Sequence, residues 1–221
     1  DAAPHIAVYV PIDISATALN KAAQSLRKQY PALVVAPQVD DFTRVLTLPK
    51  EADGHIRVGF FPGSTIGNFT HAEAVDFLHG VHDVLGKNAH FIVGVDMVKD
   101  ADTLVAAYDD AEGVTARFNK NLLTRINREL NANFNVGAFD HLAVWDAEQE
   151  RMEMHLVSQV EQVVNVAGHS FHFAAGERLH TENSHKFTVA SFTELAARAG
   201  WSVSQVWISD APEMALFSLQ A

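Results

Sequence analysis

The sequence has no cysteine among its 221 residues. Disulfide bonds are therefore excluded, and so is any zinc site that depends on thiolate ligands. Positive charge is also scarce: 16 Lys and Arg residues stand against 27 Asp and Glu residues, a formal net charge of −11. A surface of this sign repels phosphate groups, which argues against nucleic acid and against anionic membranes as partners.

Long apolar runs are missing too. No run approaches the length of about 20 residues that a membrane-spanning helix needs, and the chain does not open with a charged segment followed by an apolar one. We therefore expect a cytoplasmic protein that does not associate with membranes. The 48% of hydrophobic residues is enough for one large core, or for a core and a smaller layer beside it.

The first hundred residues alternate between strand and helix patterns. Short apolar runs at residues 6–12, 33–39, 56–61 and 90–95 are typical of buried strands. Helices are predicted from Ser15, a favourable N-cap, to Tyr30-Pro31, and over residues 72–85. This order predicts an α/β fold with a parallel sheet and right-handed crossovers.

The pattern changes after residue 100. Helices are predicted at 102–108 and 116–130, and the short segments 139–145, 151–159, 162–167 and 170–173 resemble an antiparallel meander. A helix at 191–198 and strands at 203–208 and 214–219 then close the chain. We predict a Rossmann-like domain from residues 1–100 and 188–221, and an inserted, mainly antiparallel α+β substrate-binding domain from residues 101–187.

A glycine-rich cofactor loop is also missing, because no G-x-G occurs among the 12 glycines. A nucleotide-binding sheet of this class normally opens with a strand, a glycine-rich turn and a helix. If residues 6–12 form the second strand, these parts lie upstream of Asp1. The chain starts at Asp1-Ala2 without an initiator Met, so we interpret it as a processed or split piece whose first strand is missing.

Polar groups follow three successive strands of the predicted sheet. In open α/β sheets, ligands bind beyond the carboxyl ends of the strands. Asp13 could accept hydrogen bonds from ribose hydroxyls there, and Asp41 with Phe42 could hold an adenine. The glycines of the loop from Gly63 to Asn68 would let the backbone approach a ligand. Taken singly, each of these residues could equally serve a turn or a helix cap.

Six ordered segments resemble the histidine-specific methyltransferase family of ergothioneine biosynthesis. The resemblance runs from about Val8 to the end of the chain. The segments are residues 9–15 (YVPIDIS), 61–69 (FPGSTIGNF), 95–100 (VDMVKD), 106–111 (AAYDDA), 127–130 (NREL) and 181–186 (TENSHK).

The resemblance implies a class I methyltransferase fold and a function. S-adenosylmethionine would be the co-substrate, and the α-amino group of L-histidine would be methylated to give trimethylhistidine (hercynine). The residues implied for the cofactor are Asp13, Asp41, Phe42 and Gly63. Those implied for histidine are Asn68 and Tyr108 at its amino and carboxylate end, Glu182 and Ser184 at its imidazole, and Asn183 as a further substrate-binding residue.

Several alternatives remain open at this point. The substrate could be a histidine derivative, as in ovothiol biosynthesis, or the chain could be a non-catalytic fragment that binds histidine without turnover for want of an N-terminal segment. Tyr108 could be a core aromatic, and residues 181–184 a turn or helix cap. We expect no metal: the pairs His79/His82 and His169/His172 lack a third ligand at zinc-site spacing. No catalytic base is evident either.

Overall fold

The computed structural model describes residues 5–211 and 213–221. Residues 1–4 of the predicted first domain lie outside them. In chain order the helices and strands are β1 Val8–Tyr9, β2 Ile12–Asp13, α1 Ala16–Gln29, β3 Val34–Val35, β4 Gln38–Val39, β5 Val58–Phe61, α2 His71–Leu85, β6 His90–Asp96, α3 Ala101–Tyr108, α4 Val114–Leu130, β7 Phe139–Asp146, β8 Arg151–Ser158, β9 Gln162–Val166, β10 His169–Phe173, β11 Arg178–His185, α5 Val189–Arg198, β12 Ser202–Ile208 and β13 Met214–Gln220.

The first two predicted strands form one interrupted parallel pair. β1 pairs with β3 and β2 pairs with β4. Proline has no N–H to donate to a strand ladder, and Pro11 and Pro37 stand where the regular pairing breaks. The backbone still bridges the gap, because Gln38 N donates to Pro11 O at 2.9 Å. The strands are therefore shorter than the apolar runs suggest, but they lie side by side.

A four-stranded sheet forms the centre of the larger layer. Its order is β12-β13-β6-β5, in which β5 and β6 are parallel and β13 is antiparallel to both of its neighbours. The core packs against this sheet beneath α2 and α5. Phe192 contacts Phe217 with ring centroids 4.6 Å apart, and Trp201 Nε1 donates to Leu78 O at 2.8 Å. The parallel pairing of β5 with β6 agrees with the predicted α/β sheet, but the sheet as a whole is mixed, because the last strand, β13, runs antiparallel between β12 and β6.

The segment between β6 and α5 builds a second sheet with its own apolar clusters. Its order is β11-β8-β7, all antiparallel. α3 and α4 cover one face, where Leu104 packs with Met152 and Leu123 packs with Leu156. These elements fall within residues 101–187, and treating them as a separate inserted domain remains a prediction.

The strand order of the second sheet differs from a simple meander. Within the described residues, β9 and β10 pair only with each other, and β11, which the apolar pattern did not predict, takes the place beside β8. β11 spans polar residues 178–185, so it has no apolar alternation to detect. Val164 and Phe173 of the hairpin pack instead against Phe139. No helix within the described residues is both long and apolar enough to cross a membrane.

Candidate functional site

A cleft of about 370 Å³ opens at the carboxyl ends of β5 and β6. Tyr108 of α3 and Ser184 of β11 form its other side. The residues that line it and matter below are Gly63, Ser64, Asn68, Asp96, Tyr108 and Ser184. The cleft lies where an open α/β sheet normally binds its ligand.

The loop after β5 is pinned to the tip of β6. Ser64 has a φ of 56°, in the left-handed region, which non-glycine residues seldom adopt. Its Oγ accepts a hydrogen bond from Asp96 N at 2.8 Å, and this bond holds the backbone in place. Residues 65–68 then form a single 3₁₀ turn, which ends at Asn68 on the edge of the cleft.

Gly67 provides room for a strand, not for a ligand. A Cβ at this position would lie 2.7 Å from the backbone oxygen of His185. Both residues are buried, so the 3₁₀ turn packs directly on the end of β11. The expectation that this glycine lets the backbone approach a ligand was wrong, because the closest neighbour is β11 itself. Because Gly67 has no side chain, the turn can pack closely on β11, and Asn68 then lies near Glu182.

We expect Gly67→Ala to destabilise the fold by about 1–3 kcal/mol, because the new methyl group forces two backbones apart. Gly80 is the matched control, since it lies in α2 and a Cβ added there would have no neighbour within 4 Å. Gly80→Ala should be neutral or stabilising by about 0.5–1 kcal/mol, since alanine favours a helix. Thermal and urea unfolding of the two variants measures both effects. Equal stability of the two would contradict the close approach.

A bulge in β11 decides which side chains face the cleft. His180 pairs with His155 and Glu182 pairs with Met154, so Thr181 is the extra residue. Strand side chains alternate between faces. Glu182 and Ser184 therefore share the face of Met154, towards α3. Asn183 pairs with Glu153 on the opposite face, so the structure does not bring it to the other predicted substrate residues.

Four of the predicted substrate residues come together in two pairs. The side chain of Asn68 lies close enough to influence Glu182, and the Tyr108 hydroxyl lies 2.7 Å from Ser184 Oγ. Burial raises the pKa of Glu182, and the interaction with Asn68 only partly opposes this. The protonated form of Glu182 is therefore easier to reach than in an exposed glutamate.

A buried cation that sequence reasoning did not single out lies beside these pairs. The side chain of Lys186 is 0% exposed, and its Nζ lies 2.8 Å from Asp96 Oδ2. Asp96 Oδ1 accepts a second bond from Lys99 at 2.6 Å. Burial opposes ionisation of Asp96, but the bonds from Lys186 and Lys99 outweigh it, so the pKa of Asp96 lies below its usual value. Asp96 and Lys99 lie in segment 95–100, and Lys186 lies in segment 181–186. Their place in segments that resemble the family was the only sign in the sequence that they could matter.

The residues predicted for the cofactor lie at neighbouring strand tips. Asp13 ends β2, and the paired strand β4 ends two residues before Asp41. Asp13 accepts a bond from Ser15 N at 2.7 Å. Hydrogen bonds from Thr43 lower the pKa of Asp41, so that carboxylate is readily ionised.

The ring of Phe42 stands beside these carboxylates. Its centroid lies 5.4 Å from that of Phe61 at the end of β5, so the Asp41 loop reaches the start of the cleft loop. Gly63 lines the cleft itself.

One group of three potential metal ligands occurs within the described residues. Glu153, His155 and His180 place their ligand atoms within 4.8 Å of one another. Both carboxylate oxygens of Glu153 are already used, one by Arg151 and the other by His155 Nε2 at 2.9 Å. We interpret the group as an ion-pair network. His172, from the pairs considered above, contacts Glu161 at 3.0 Å.

Comparison with known proteins is consistent with this geometry. A family described as histidine-specific, S-adenosylmethionine-dependent methyltransferases matches residues 1–221. The chain is 39% identical over 210 residues to the histidine N-alpha-methyltransferase of Mycolicibacterium smegmatis, and 38% identical over 211 residues to that of Mycobacterium tuberculosis. Each match covers 94% of this chain and 65% of the relative. The chain therefore spans about 65% of the length of these relatives.

Solved structures support the fold. An S-adenosylmethionine-dependent methyltransferase from Clostridium acetobutylicum matches with a TM-score of 0.50 at 10% identity, covering 96% of this chain and 74% of that one. The CcbJ methyltransferase from Streptomyces caelestis matches with a TM-score of 0.51 at 14% identity and the same coverage. The fold is thus that of a Rossmann-like class I methyltransferase, and the chain belongs to the family of histidine-specific, S-adenosylmethionine-dependent methyltransferases.

Proposed function

We propose that the protein methylates the α-amino group of L-histidine with S-adenosylmethionine as methyl donor, and that repeated transfer gives trimethylhistidine. The observation that carries the proposal is the meeting of Asn68, Tyr108 and Ser184 in one cleft at the strand ends, with Glu182 next to Asn68. These side chains come from three separate segments of the chain, and their polar groups converge as a small polar ligand would require.

Glu182 and Ser184 suit the recognition of an imidazole ring. They lie on one face of β11, two residues apart. The ring carries two nitrogens that can each donate or accept, depending on protonation. A half-buried carboxyl group with a raised pKa can share a proton with one nitrogen, while the Ser184 hydroxyl bonds to the other. Polar pairing of this kind rejects side chains that lack the partner groups.

The residues at the strand tips fit S-adenosylmethionine, which supplies the methyl group on a sulfonium when it is bound. Asp13 keeps one carboxylate oxygen beyond its bond to Ser15 and would accept from the ribose hydroxyls. Asp41, ionised and next to Phe42, would hold the adenine. Gly63 would let the loop backbone approach the donor. Gly63 also lines the cleft, so the donor would come next to the proposed substrate there.

The chain's contribution to the reaction is alignment. A sulfonium is a strong electrophile, so the side chains need only hold a neutral amine with its lone pair towards the methyl group and exclude water. Asn68 and Tyr108 would fix the amino and carboxylate end, and Glu182 with Ser184 would fix the ring. The amine must lose a proton before each transfer, and we propose that water takes it.

The proposal is tested by incubating the protein with S-adenosylmethionine and L-histidine and following the products by mass spectrometry. We expect histidine species that carry one, two and three added methyl groups, together with S-adenosylhomocysteine, and no methylation of leucine. The chain alone and a longer version with any preceding segment should be compared. Activity only in the longer version would support an upstream cofactor loop. Micromolar histidine binding without turnover in either version would favour the non-catalytic alternative.

A further inference from the structure

Lys186 is placed to control the hydroxyl groups that face the proposed substrate. Its ammonium has three hydrogens and three oxygen neighbours at bonding distance: Asp96 Oδ2 at 2.8 Å, the Tyr108 hydroxyl at 2.7 Å and Ser184 Oγ at 2.9 Å. Each hydrogen therefore has an acceptor, and none remains to reach a ligand. The side chain is fully buried, so the amine lies behind the two hydroxyls.

The hydrogen count of the two hydroxyls then follows. Tyr108 and Ser184 both accept from Lys186, and their oxygens are 2.7 Å apart, so one of them donates to the other. Of the two hydroxyl hydrogens, one is used inside the cluster and one is left for the cleft. A phenol is a stronger acid than an aliphatic alcohol, and accepting a bond from an ammonium strengthens it further as a donor.

The charge around the hydroxyls favours an anion in front of them. Lys186 and Lys99 carry two positive charges, and Asp96, bonded to both, carries one negative charge. The remaining charge of this cluster is positive and lies in a partly buried place, where electrostatic attraction is less screened than in water. The described bonds of this cluster do not involve Glu182.

We propose that Lys186 is a positioning residue that makes Tyr108 the outward hydrogen-bond donor to an α-carboxylate, so that the site selects amino acids with a free carboxylate over their amides and amines. Ser184, whose hydrogen goes to Tyr108, then presents a lone pair to the imidazole N–H. This inference rests on the proposed function, because it assumes that the ring lies at Glu182 and Ser184.

The test compares three ligands: L-histidine, L-histidinamide and histamine. Calorimetric titrations are run with saturating S-adenosylhomocysteine on the wild type, Lys186→Met and Lys186→Arg. We expect the wild type to bind histidine about 30-fold more tightly than histidinamide, the value of one hydrogen bond to a charged group. In Lys186→Met this preference should fall to about threefold, while histamine binding stays within about twofold of the wild type. Lys186→Arg keeps the charge and should recover part of the preference.

Two controls separate this role from simple support of the fold. Asp96 keeps its bond to Lys99 at 2.6 Å in Lys186→Met, so the substitution does not leave a buried charge alone. Lys120 pairs with Asp140 at 3.5 Å, away from the cleft, and Lys120→Met should leave all three affinities unchanged. In a Tyr108→Phe background, Lys186→Met should have little further effect, because the two residues act as one unit.

Three results would overturn the inference. The first is an equal loss of affinity for all three ligands in Lys186→Met. The second is an unchanged preference of that variant for histidine over its amide. The third is that the effects of the Lys186 and Tyr108 substitutions on affinity are additive. A wild type that binds histidine no better than leucine would overturn the proposed function instead. The two failures are thus distinguished by whether the wild type or the variant departs from expectation.

Discussion

Glu182→Ala should weaken the binding of L-histidine about 100-fold, since a hydrogen bond to a charged group is worth about 1.5–3 kcal/mol. The binding of S-adenosylhomocysteine should change by less than about twofold, because Glu182 lies on β11 and the proposed nucleoside residues lie at the tips of β2 and β4. Calorimetric titration of both ligands measures the difference. Equal losses of affinity for the two ligands would refute the role of Glu182 in binding the imidazole.

The control for this experiment lies on the same strand. Asn183 pairs with Glu153 on the other face of the sheet, so Asn183→Ala should leave histidine affinity within about threefold of the wild type. A loss as large as that of Glu182→Ala would show that the bulge at Thr181 does not set which residues face the ligand, and the assignment of the cleft would then be wrong.

Glu182 should also make stability depend on pH. Burial raises its pKa in the folded chain above the ordinary value of 4.5. The folded state therefore holds this proton more tightly than the unfolded state does. Its stabilising contribution is complete below the unfolded pKa and is lost as the pH rises through the folded pKa. Glu182→Gln, which carries no charge, should thus melt at a higher temperature than the wild type at neutral pH and at the same temperature at about pH 4.

Gly94→Ala should cost about 3 kcal/mol or more, the upper range for overpacking a core. A Cβ at Gly94 would lie 2.0 Å from the backbone oxygen of Pro62 and 2.6 Å from its carbonyl carbon. Neither backbone can yield easily, because Gly94 lies in β6 between β5 and β13. In a chain of this size such a loss lowers the melting temperature by about 10 °C. Displacing Pro62 also moves the loop that carries Ser64 and Asn68.

The matched control for Gly94 lies in that same loop. A Cβ at Gly63 would meet only Thr65 Oγ1, at an ordinary 3.6 Å, so Gly63→Ala should change stability by less than about 1 kcal/mol. Differential scanning calorimetry of the two variants gives the comparison. A Gly94→Ala variant as stable as Gly63→Ala would mean that β6 and the loop after β5 do not pack as closely as described.

Local patterns predicted much of the fold and part of the site. The strands before Asp13 and Asp41, the helix from Ser15 and the loop after β5 depend on apolar spacing, capping and proline, which act between near neighbours. These features could therefore be located in the sequence. The roles of Glu182 and Ser184 could be expected only from the resemblance to a family, since their segment has no apolar alternation.

The bulge at Thr181, the packing of Gly67 on His185 and the burial of Lys186 could not be predicted in this way. The bulge exists only through the pairing of β11 with β8. The glycine contact joins residues from two different layers, and nothing in the neighbourhood of Lys186 along the chain marks it as fully buried. Such features depend on which distant segments meet, and the pattern of a single segment carries no record of that.

The sequence by itself determined the alternation of strands and helices, the acidic strand tips and the family to which the chain belongs, because these depend on residue types and on spacing along the chain. Only the tertiary structure decided which face of β11 meets the cleft and which charge lies behind the hydroxyls. The physical reason is that strand register and the desolvation of a charge are set by packing between segments far apart in the sequence.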